Sequence, residues 1–265
     1  RDGSPDGLDT LYEIDKLRFS DGDVNLEAYY NSQLGSGAGN DIIPGTSGDD
    51  LIDGFGGDDT ITGLAGDDIL IGGVGSDVID GGSGTNRLYG DAGNDTITSS
   101  GSYDFVDAGE GDNTIIIGSD TRGGEFSSGD GDDVYHINDG LISGYDDQVK
   151  LSSGGGNDVV NLDSRLNYSK VYLGEGNDTI NITQPTGWYT HIYGKNGDDN
   201  INILAGAAQH QLYVHGDDGN DKIVLEGDFE NESNQRFHGG NGDDIIDASN
   251  AVGLSGLKNY LSGGS

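Results

Sequence analysis

A nine-residue repeat runs through the first half of the chain and restricts the folds open to it. From residue 36 to residue 116, glycine stands at the fourth place of each unit, aspartate or asparagine at the sixth, and an aliphatic residue at the eighth. The glycine column breaks only at Ser102. Three columns kept in register over this length predict one small structural unit repeated along the chain.

A unit of nine residues has room for one tight turn and one very short strand. Glycine suits the turn because it tolerates positive φ, and the eighth-position aliphatic points to one side of the strand. Two units then make one coil. Stacked coils give two parallel sheets with turns along both edges, in which each aliphatic packs on its equivalent about 4.8 Å away. The predicted fold class is all-β, a parallel solenoid.

Past residue 116 the tandem period stops, but the same turn returns singly at Ser128, Ser153, Leu173, Gly194, Gly216 and Gly239. Counting back in whole coils aligns these turns with five in the tandem block, which begin at Ser36, Gly54, Gly72, Gly90 and Ala108. We call this predicted row of eleven turns the continuous edge. The other edge has turns only at Gly45, Gly63, Gly81 and Ser99.

The later coils also show strict alternation of inward and outward residues, which is typical of two-sided strands. One predicted inward column contains Val171, Ile192, Val214 and Phe237. The outward positions beside it are unusually aromatic and basic: Lys170, Tyr172, His191, Tyr193, Tyr213, His215, Arg236 and His238. Two interpretations stay open, a stack that stabilises an exposed sheet and a face that binds polysaccharide.

The charge balance points to cations as partners. The chain has 48 Asp and Glu against 12 Lys and Arg, a formal net charge of −36, so it lacks the basic patch that nucleic acid or an anionic membrane needs. Only 32% of the residues are hydrophobic, which is little apolar surface to offset the entropy of ordering. There is no cysteine and no apolar run of membrane-spanning length.

The segment "GGVGSDVID", from Gly72, matches the nonapeptide G-G-x-G-x-D-x-U-x at every position. In this the chain resembles the RTX (repeats-in-toxin) family of secreted bacterial proteins. The resemblance implies a right-handed parallel β-roll with roughly ten calcium ions bound between neighbouring turns. It assigns as metal ligands Asp41, Asp59, Asp77, Asp95, Asp133, Asp158, Asp178, Asp199, Asp221 and Asp244 on the continuous edge, and Asp50 and Asp68 on the other. Asn86, Asp104 and Asn113 depart from the motif, and we expect weak or empty sites beside them.

The resemblance also implies a function and a location. Calcium would be structural, and the chain would be part of a larger protein exported unfolded by type I secretion from a Gram-negative bacterium, folding outside the cell or on its surface. The parent protein could be an adhesin, a surface-layer protein or an exoenzyme. Surface glycans and self-association are further candidate partners. No zinc motif, nucleophile elbow or acid/base pair is present, so we expect no catalysis here; a polysaccharide-binding or polysaccharide-processing β-helix is the alternative.

Four segments are expected along the chain. Residues 1–35 contain an Asp-Gly turn within an apolar-spaced stretch, which predicts a hairpin that caps the first coil. Residues 36–116 form the tandem roll, and 117–247 continue it with longer coils and turns on one edge. Residues 248–265 form a C-terminal cap.

Overall fold

The structure is a computed structural model that describes residues 37–118, 121–138, 146–184, 188–204, 211–229 and 235–252, with the backbone of 16–19, 22–25 and 261–262. It is an all-β parallel solenoid, and no helix occurs in the described residues. The predicted fold class is therefore confirmed, while the hand of the coil stays a prediction. Across these same residues, nothing helical has the length and apolarity that a membrane crossing needs.

In the part of the chain that the structure describes, the solenoid has two parallel sheets of eleven strands each, and the chain alternates between them. The odd-numbered sheet contains β3 (Ile42–Pro44), β5 (Thr60–Thr62), β7 (Val78–Asp80), β9 (Thr96–Ser99), β11 (Thr114–Ile117), β13 (Val134–Ile137), β15 (Val159–Leu162), β17 (Thr179–Ile182), β19 (Asn200–Ile203), β21 (Lys222–Asp228) and β23 (Ile245–Val252). The even-numbered sheet contains β4 (Leu51–Asp53), β6 (Ile69–Val74), β8 (Arg87–Ala92), β10 (Phe105–Asp107), β12 (Gly124–Ser127), β14 (Val149–Ser152), β16 (Lys170–Glu175), β18 (Thr190–Asn196), β20 (Leu212–Asp218), β22 (Arg236–Asn241) and β24 (Leu261–Ser262).

The core lies between the two sheets and consists of columns of aliphatic side chains. In the tandem block each strand contributes one eighth-position residue; Ile43, Ile61 and Ile79 pair in register along the odd-numbered sheet and are buried. Later strands contribute two, such as Ile180 and Ile182 on β17. The core therefore widens along the chain, as the alternation in sequence predicts.

The predicted inward column of the later coils is confirmed. Val171, Ile192, Val214 and Phe237 are paired in register and fully buried. The residues beside them face outward and are partly exposed, so the aromatic and basic side chains singled out in the sequence do form one surface of the even-numbered sheet.

Both ends of the chain contain further strands. β1 (Lys16–Phe19) and β2 (Gly22–Asn25) pair antiparallel within the predicted N-terminal segment. In the C-terminal segment, β23 extends to Val252 and β24 pairs with β22, so this segment adds to both sheets. The rest of both segments, residues 1–15, 20–21, 26–35, 253–260 and 263–265, lies outside the described residues, and the role of both segments as caps stays a prediction.

Candidate metal centre

The turns of the continuous edge are connected by a ladder of hydrogen bonds through their sixth-position residues. In each step the backbone N–H of one such residue donates to the side-chain Oδ1 of its equivalent in the next coil, at 2.7–2.9 Å. The ladder joins Asp41, Asp59, Asp77, Asp95, Asn113, Asp133, Asp158, Asp178, Asp199, Asp221 and Asp244. All eleven predicted turns therefore share one edge, including those separated by long loops.

In many of the sixth-position aspartates the second carboxylate oxygen has no protein partner. Oδ2 is buried and without a hydrogen bond in nine of the twelve aspartates that the sequence analysis assigned to metal: Asp59, Asp68, Asp77, Asp95, Asp133, Asp158, Asp178, Asp199 and Asp221. An unpaired buried carboxylate oxygen is costly unless it binds a proton or a cation. A row of such oxygens at equivalent places therefore requires a row of partners.

The first-position glycines leave space beside these oxygens. A Cβ added to Gly54 would overlap both Oδ2 of Asp59 and the carbonyl oxygen of Gly72 in the next coil. The same arrangement recurs in the turns that begin at Gly45, Gly63, Gly90, Gly194 and Gly216. Each of these cradles, as we call them, is an open space facing a carboxylate oxygen and a carbonyl oxygen of a neighbouring coil.

The donor set fits calcium. Hard oxygen ligands, carboxylate and backbone carbonyl together, are those that Ca²⁺ prefers, and Ca²⁺ accepts flexible geometry. Across the described residues no three His, Asp or Glu side chains converge on one point, so backbone carbonyls would have to complete each site. Calcium bound there would supply positive charge to the buried carboxylates and join two coils through shared oxygen ligands.

Burial makes these carboxylates hard to ionise without a cation. Desolvation raises the pKa of Asp95, Asp133 and Asp221 to about 6, that of Asp158 to about 7, and that of Asp199 to about 8. The pKa values of Asp68, Asp77 and Asp178 are raised for the same reason. Hydrogen bonds from the backbone N–H of the preceding coil oppose the shift but do not cancel it.

The other edge is shorter and less uniform. Asp50, Asp68 and Asn86 continue a parallel ladder of N–H to Oδ1 bonds that ends at Asp104. Within it only Asp68 leaves Oδ2 without a partner. Oδ2 of Asp50 accepts from Thr46, so Asp50 has fewer free oxygens than its assignment as a ligand supposed.

The three residues that depart from the motif differ from one another. Oδ2 of Asp104 accepts from Ser99 Oγ at 2.6 Å and from the N–H of Gly101 at 3.2 Å, so both of its oxygens are satisfied by protein. Nδ2 of Asn86 is buried without a partner. Nδ2 of Asn113 instead donates to carbonyl oxygens of its own turn and of the next.

Two later turns of the continuous edge begin with serine in place of glycine. Ser128 Oγ donates to the carbonyl of Ser153 at 2.8 Å, and Ser153 Oγ donates to the carbonyl of Leu173 at 2.5 Å. In the glycine turns the equivalent carbonyl faces the open cradle. The serine turns therefore offer a cation one oxygen that is already hydrogen-bonded, beside a carboxylate Oδ2 that is not.

A second ladder, at the fifth position, was not singled out in the sequence analysis. Here the N–H of each residue donates to the side-chain oxygen of the preceding coil, the reverse of the sixth-position direction; Asp58 accepts from Ser76, and Asn157 accepts from Asn177. These residues are exposed and link the turns from outside. The sequence does contain a signal for this second ladder, because aspartate or asparagine recurs at the fifth position, immediately before the sixth-position column.

Comparison with known proteins agrees with this geometry. The family model for the RTX calcium-binding nonapeptide repeat matches four times, at residues 36–70, 62–97, 89–121 and 231–250. The chain contains RTX calcium-binding repeats. No curated protein matches it. The turns that begin between Ser128 and Gly216 lie between the third and fourth RTX matches and belong to the same hydrogen-bonded ladder. The continuous edge therefore includes turns that the family model does not match.

Aromatic rings are stacked on the outer face of the even-numbered sheet, beside the continuous edge. Tyr193 stacks between Tyr172 and His215, with ring centroids 5.1 and 5.4 Å apart, and His215 continues the row to His238. In a second row, His191 stacks on Tyr213 at 4.6 Å. The rings turn their faces to one another, so most of their flat surface is already used within the sheet.

Proposed function

We propose that this chain is a calcium-dependent RTX β-roll, a structural module whose coils are joined by calcium ions at the turns. The observation that carries the proposal is the row of buried Oδ2 atoms without partners, of which those of Asp59, Asp68, Asp95, Asp199 and Asp221 lie beside a cradle that first-position glycine leaves open. The coarser statement, that the repeats are of a calcium-binding type, rests on the family match. The assignment of individual aspartates and the number of ions belong to this proposal.

We further propose that calcium controls where the module folds. At low calcium the acidic turns repel one another, because successive coils are about 4.8 Å apart and the screening length is about 10 Å at 0.1 M salt. At millimolar calcium each occupied site adds to the stability of the folded state. This supports export of an unfolded chain through a type I channel, followed by folding outside the cell as part of an adhesin, surface-layer protein or exoenzyme.

Ion counting tests the metal assignment. The chain is dialysed against calcium, freed of unbound ions, and its calcium content is measured by atomic emission, with magnesium as a parallel control. Asp77→Asn and Asp199→Asn each remove a buried carboxylate whose Oδ2 has no partner, and each should lower the count. Asp112→Asn, at an exposed fifth position, is the matched control and should leave it unchanged. Equal counts in all variants would contradict the assignment.

A second candidate function, glycan binding, is supported by a groove on the outer face. The groove has a volume of about 450 Å³ and is lined by residues that include Lys195, His215, Asp217, His238 and Asn241. Side chains that both donate and accept hydrogen bonds suit sugar hydroxyl groups. Binding of a panel of bacterial and host polysaccharides to the calcium-loaded chain and to its His238→Ala variant tests this function. Binding that the variant loses would support glycan recognition at the groove. Absence of binding to any of the polysaccharides would contradict it.

A further inference from the structure

The continuous edge changes its chemistry at one turn, which begins at Ala108 and ends at Asn113. At every other sixth position of this edge the residue is aspartate. Asn113 is as buried as Asp95 and Asp133 in the two adjacent turns, with 1% of its surface exposed. The first position of the same turn is alanine, whereas the cradles all have glycine there.

The side-chain amide of Asn113 makes the contacts that a cation would otherwise make. Its Oδ1 accepts from the N–H of Asp95 at 2.9 Å. Its Nδ2 donates to the carbonyls of Gly111 at 2.9 Å, Ser128 at 3.3 Å and Gly109 at 3.4 Å. The orientation of the amide is fixed by chemistry, because a backbone N–H can only donate and a carbonyl can only accept.

The turn one coil earlier shows the contrast. There Oδ2 of Asp95 has no partner, and a Cβ on Gly90 would overlap both this oxygen and the carbonyl of Ala108. A carboxylate oxygen facing a carbonyl oxygen needs a cation or a proton between them. In the Asn113 turn an N–H group takes the place of that oxygen, so the neighbouring carbonyls are satisfied without an ion.

The other edge of the same coil is also closed to metal. Asp104 is the sixth-position residue of the turn on that other edge, and both of its carboxylate oxygens accept hydrogen bonds from protein groups. This is an independent observation, because it concerns different residues on the opposite side of the solenoid. In one whole coil, from Ser99 to Asn113, neither turn thus has a sixth-position carboxylate oxygen without a hydrogen-bond partner.

We propose that this coil is a metal-free joint that divides the calcium sites into two groups. The first group contains Asp41, Asp59, Asp77 and Asp95 with Asp68 of the other edge; the second contains Asp133, Asp158, Asp178, Asp199, Asp221 and Asp244. The inference rests on the proposed calcium function. In a solenoid each repeat interacts with its nearest neighbours, so a coil without an ion breaks the chain of ion-linked coils while leaving the sheets continuous.

Hydrogen exchange followed by mass spectrometry tests the division in the full chain. Exchange is measured across a calcium titration for peptides from β5 to β9 and for peptides from β17 to β21. Asp77→Asn should raise the calcium midpoint of the first set several-fold and leave the second set unchanged, and Asp199→Asn should do the reverse. If either variant shifts both sets equally, the joint does not exist.

Repair of the joint gives the converse test. In Ala108→Gly/Asn113→Asp the cradle is open and its carboxylate restored, so the chain should bind one more calcium ion than the wild type, and Asp77→Asn in this background should shift both sets of peptides. An unchanged ion count overturns the proposal. If the double variant does not fold, the hydrogen-exchange comparison of Asp77→Asn and Asp199→Asn in the otherwise wild-type chain still tests the division. Absence of calcium binding by any form would instead refute the calcium function itself.

Discussion

At the scale of single residues, the first-position glycine is as important as the aspartate five residues later. The aspartate supplies the charged oxygen, but glycine supplies the space beside it, since a methyl group on Gly54 would overlap Asp59 Oδ2 and the carbonyl of Gly72. The usual reason for glycine in turns, tolerance of positive φ, applies to other positions of the repeat, such as Gly57. At Gly54, glycine is therefore needed for the space that it leaves rather than for backbone freedom.

A glycine variant tests this. Gly54→Ala should remove one ion and raise the calcium concentration at the folding midpoint, because its methyl group fills the cradle. The loss is about 1.4 kcal/mol when calcium is tenfold above the site's dissociation constant. Gly56→Ala is the matched control in the same turn, since its Cβ would meet its nearest neighbour, Val74 O, only at 3.4 Å. Equal effects of the two variants in a calcium titration would contradict the cradle.

The raised pKa values predict how acidity acts on the calcium-free chain. Asp158 and Asp199, with pKa values of about 7 and about 8 when buried, would have ordinary values of about 4 in the unfolded chain. The folded state therefore binds more protons between about pH 4 and pH 8, so its stability falls as the pH rises through this window.

Circular dichroism checks the prediction in two ways. In excess chelator, β-structure should increase on acidification from pH 8 to pH 5. With calcium present, the midpoint of the calcium titration should instead fall as the pH rises, since protons and calcium compete for the same carboxylates. A midpoint independent of pH over this range would show that the buried carboxylates are not the ligands.

At the scale of strands and turns, the tandem coils and the later coils differ in how they use the core. β7 buries one aliphatic residue, Ile79, whereas β19 buries two, Ile201 and Ile203. Truncation of a buried isoleucine to alanine costs about 2–5 kcal/mol in either place. The tandem coils have less apolar burial with which to compensate, so they depend more on their ions.

The matched pair Ile79→Ala and Ile201→Ala checks this difference. Ile79→Ala should raise the calcium concentration needed to protect its own coil from hydrogen exchange by more than Ile201→Ala does for its coil. The opposite order would mean that the wider core, not calcium, is the limiting source of stability in the later coils.

The sequence predicted the strands and the alignment of turns well because both follow from periodicity. Ile43, Ile61 and Ile79 recur at a fixed spacing, and the same turn pattern marks the continuous edge through loops of differing length. What periodicity could not show is which oxygens are already satisfied. Thr46 donates a hydrogen bond to Asp50, and the amide of Asn113 donates to three carbonyls. Both depend on side-chain positions within single turns, which a periodic pattern does not specify.

At the scale of the whole molecule, the chain combines a small core with a large negative charge. A net charge of −36 and a hydrophobic fraction of 32% do not favour a compact state alone. The two sheets nevertheless bury a continuous column of aliphatic side chains once neighbouring coils are joined. Calcium at the turns would reduce the charge and join the coils at the same time, which makes folding a collective response to calcium.

A far-ultraviolet circular-dichroism titration of the full chain, from excess chelator to about 10 mM calcium with magnesium as control, tests this account most directly. The account predicts an unfolded chain in chelator at neutral pH, a cooperative transition to β-structure with calcium, and no such transition with magnesium. A chain that already has its full β-structure in chelator, or that responds equally to both ions, would contradict it.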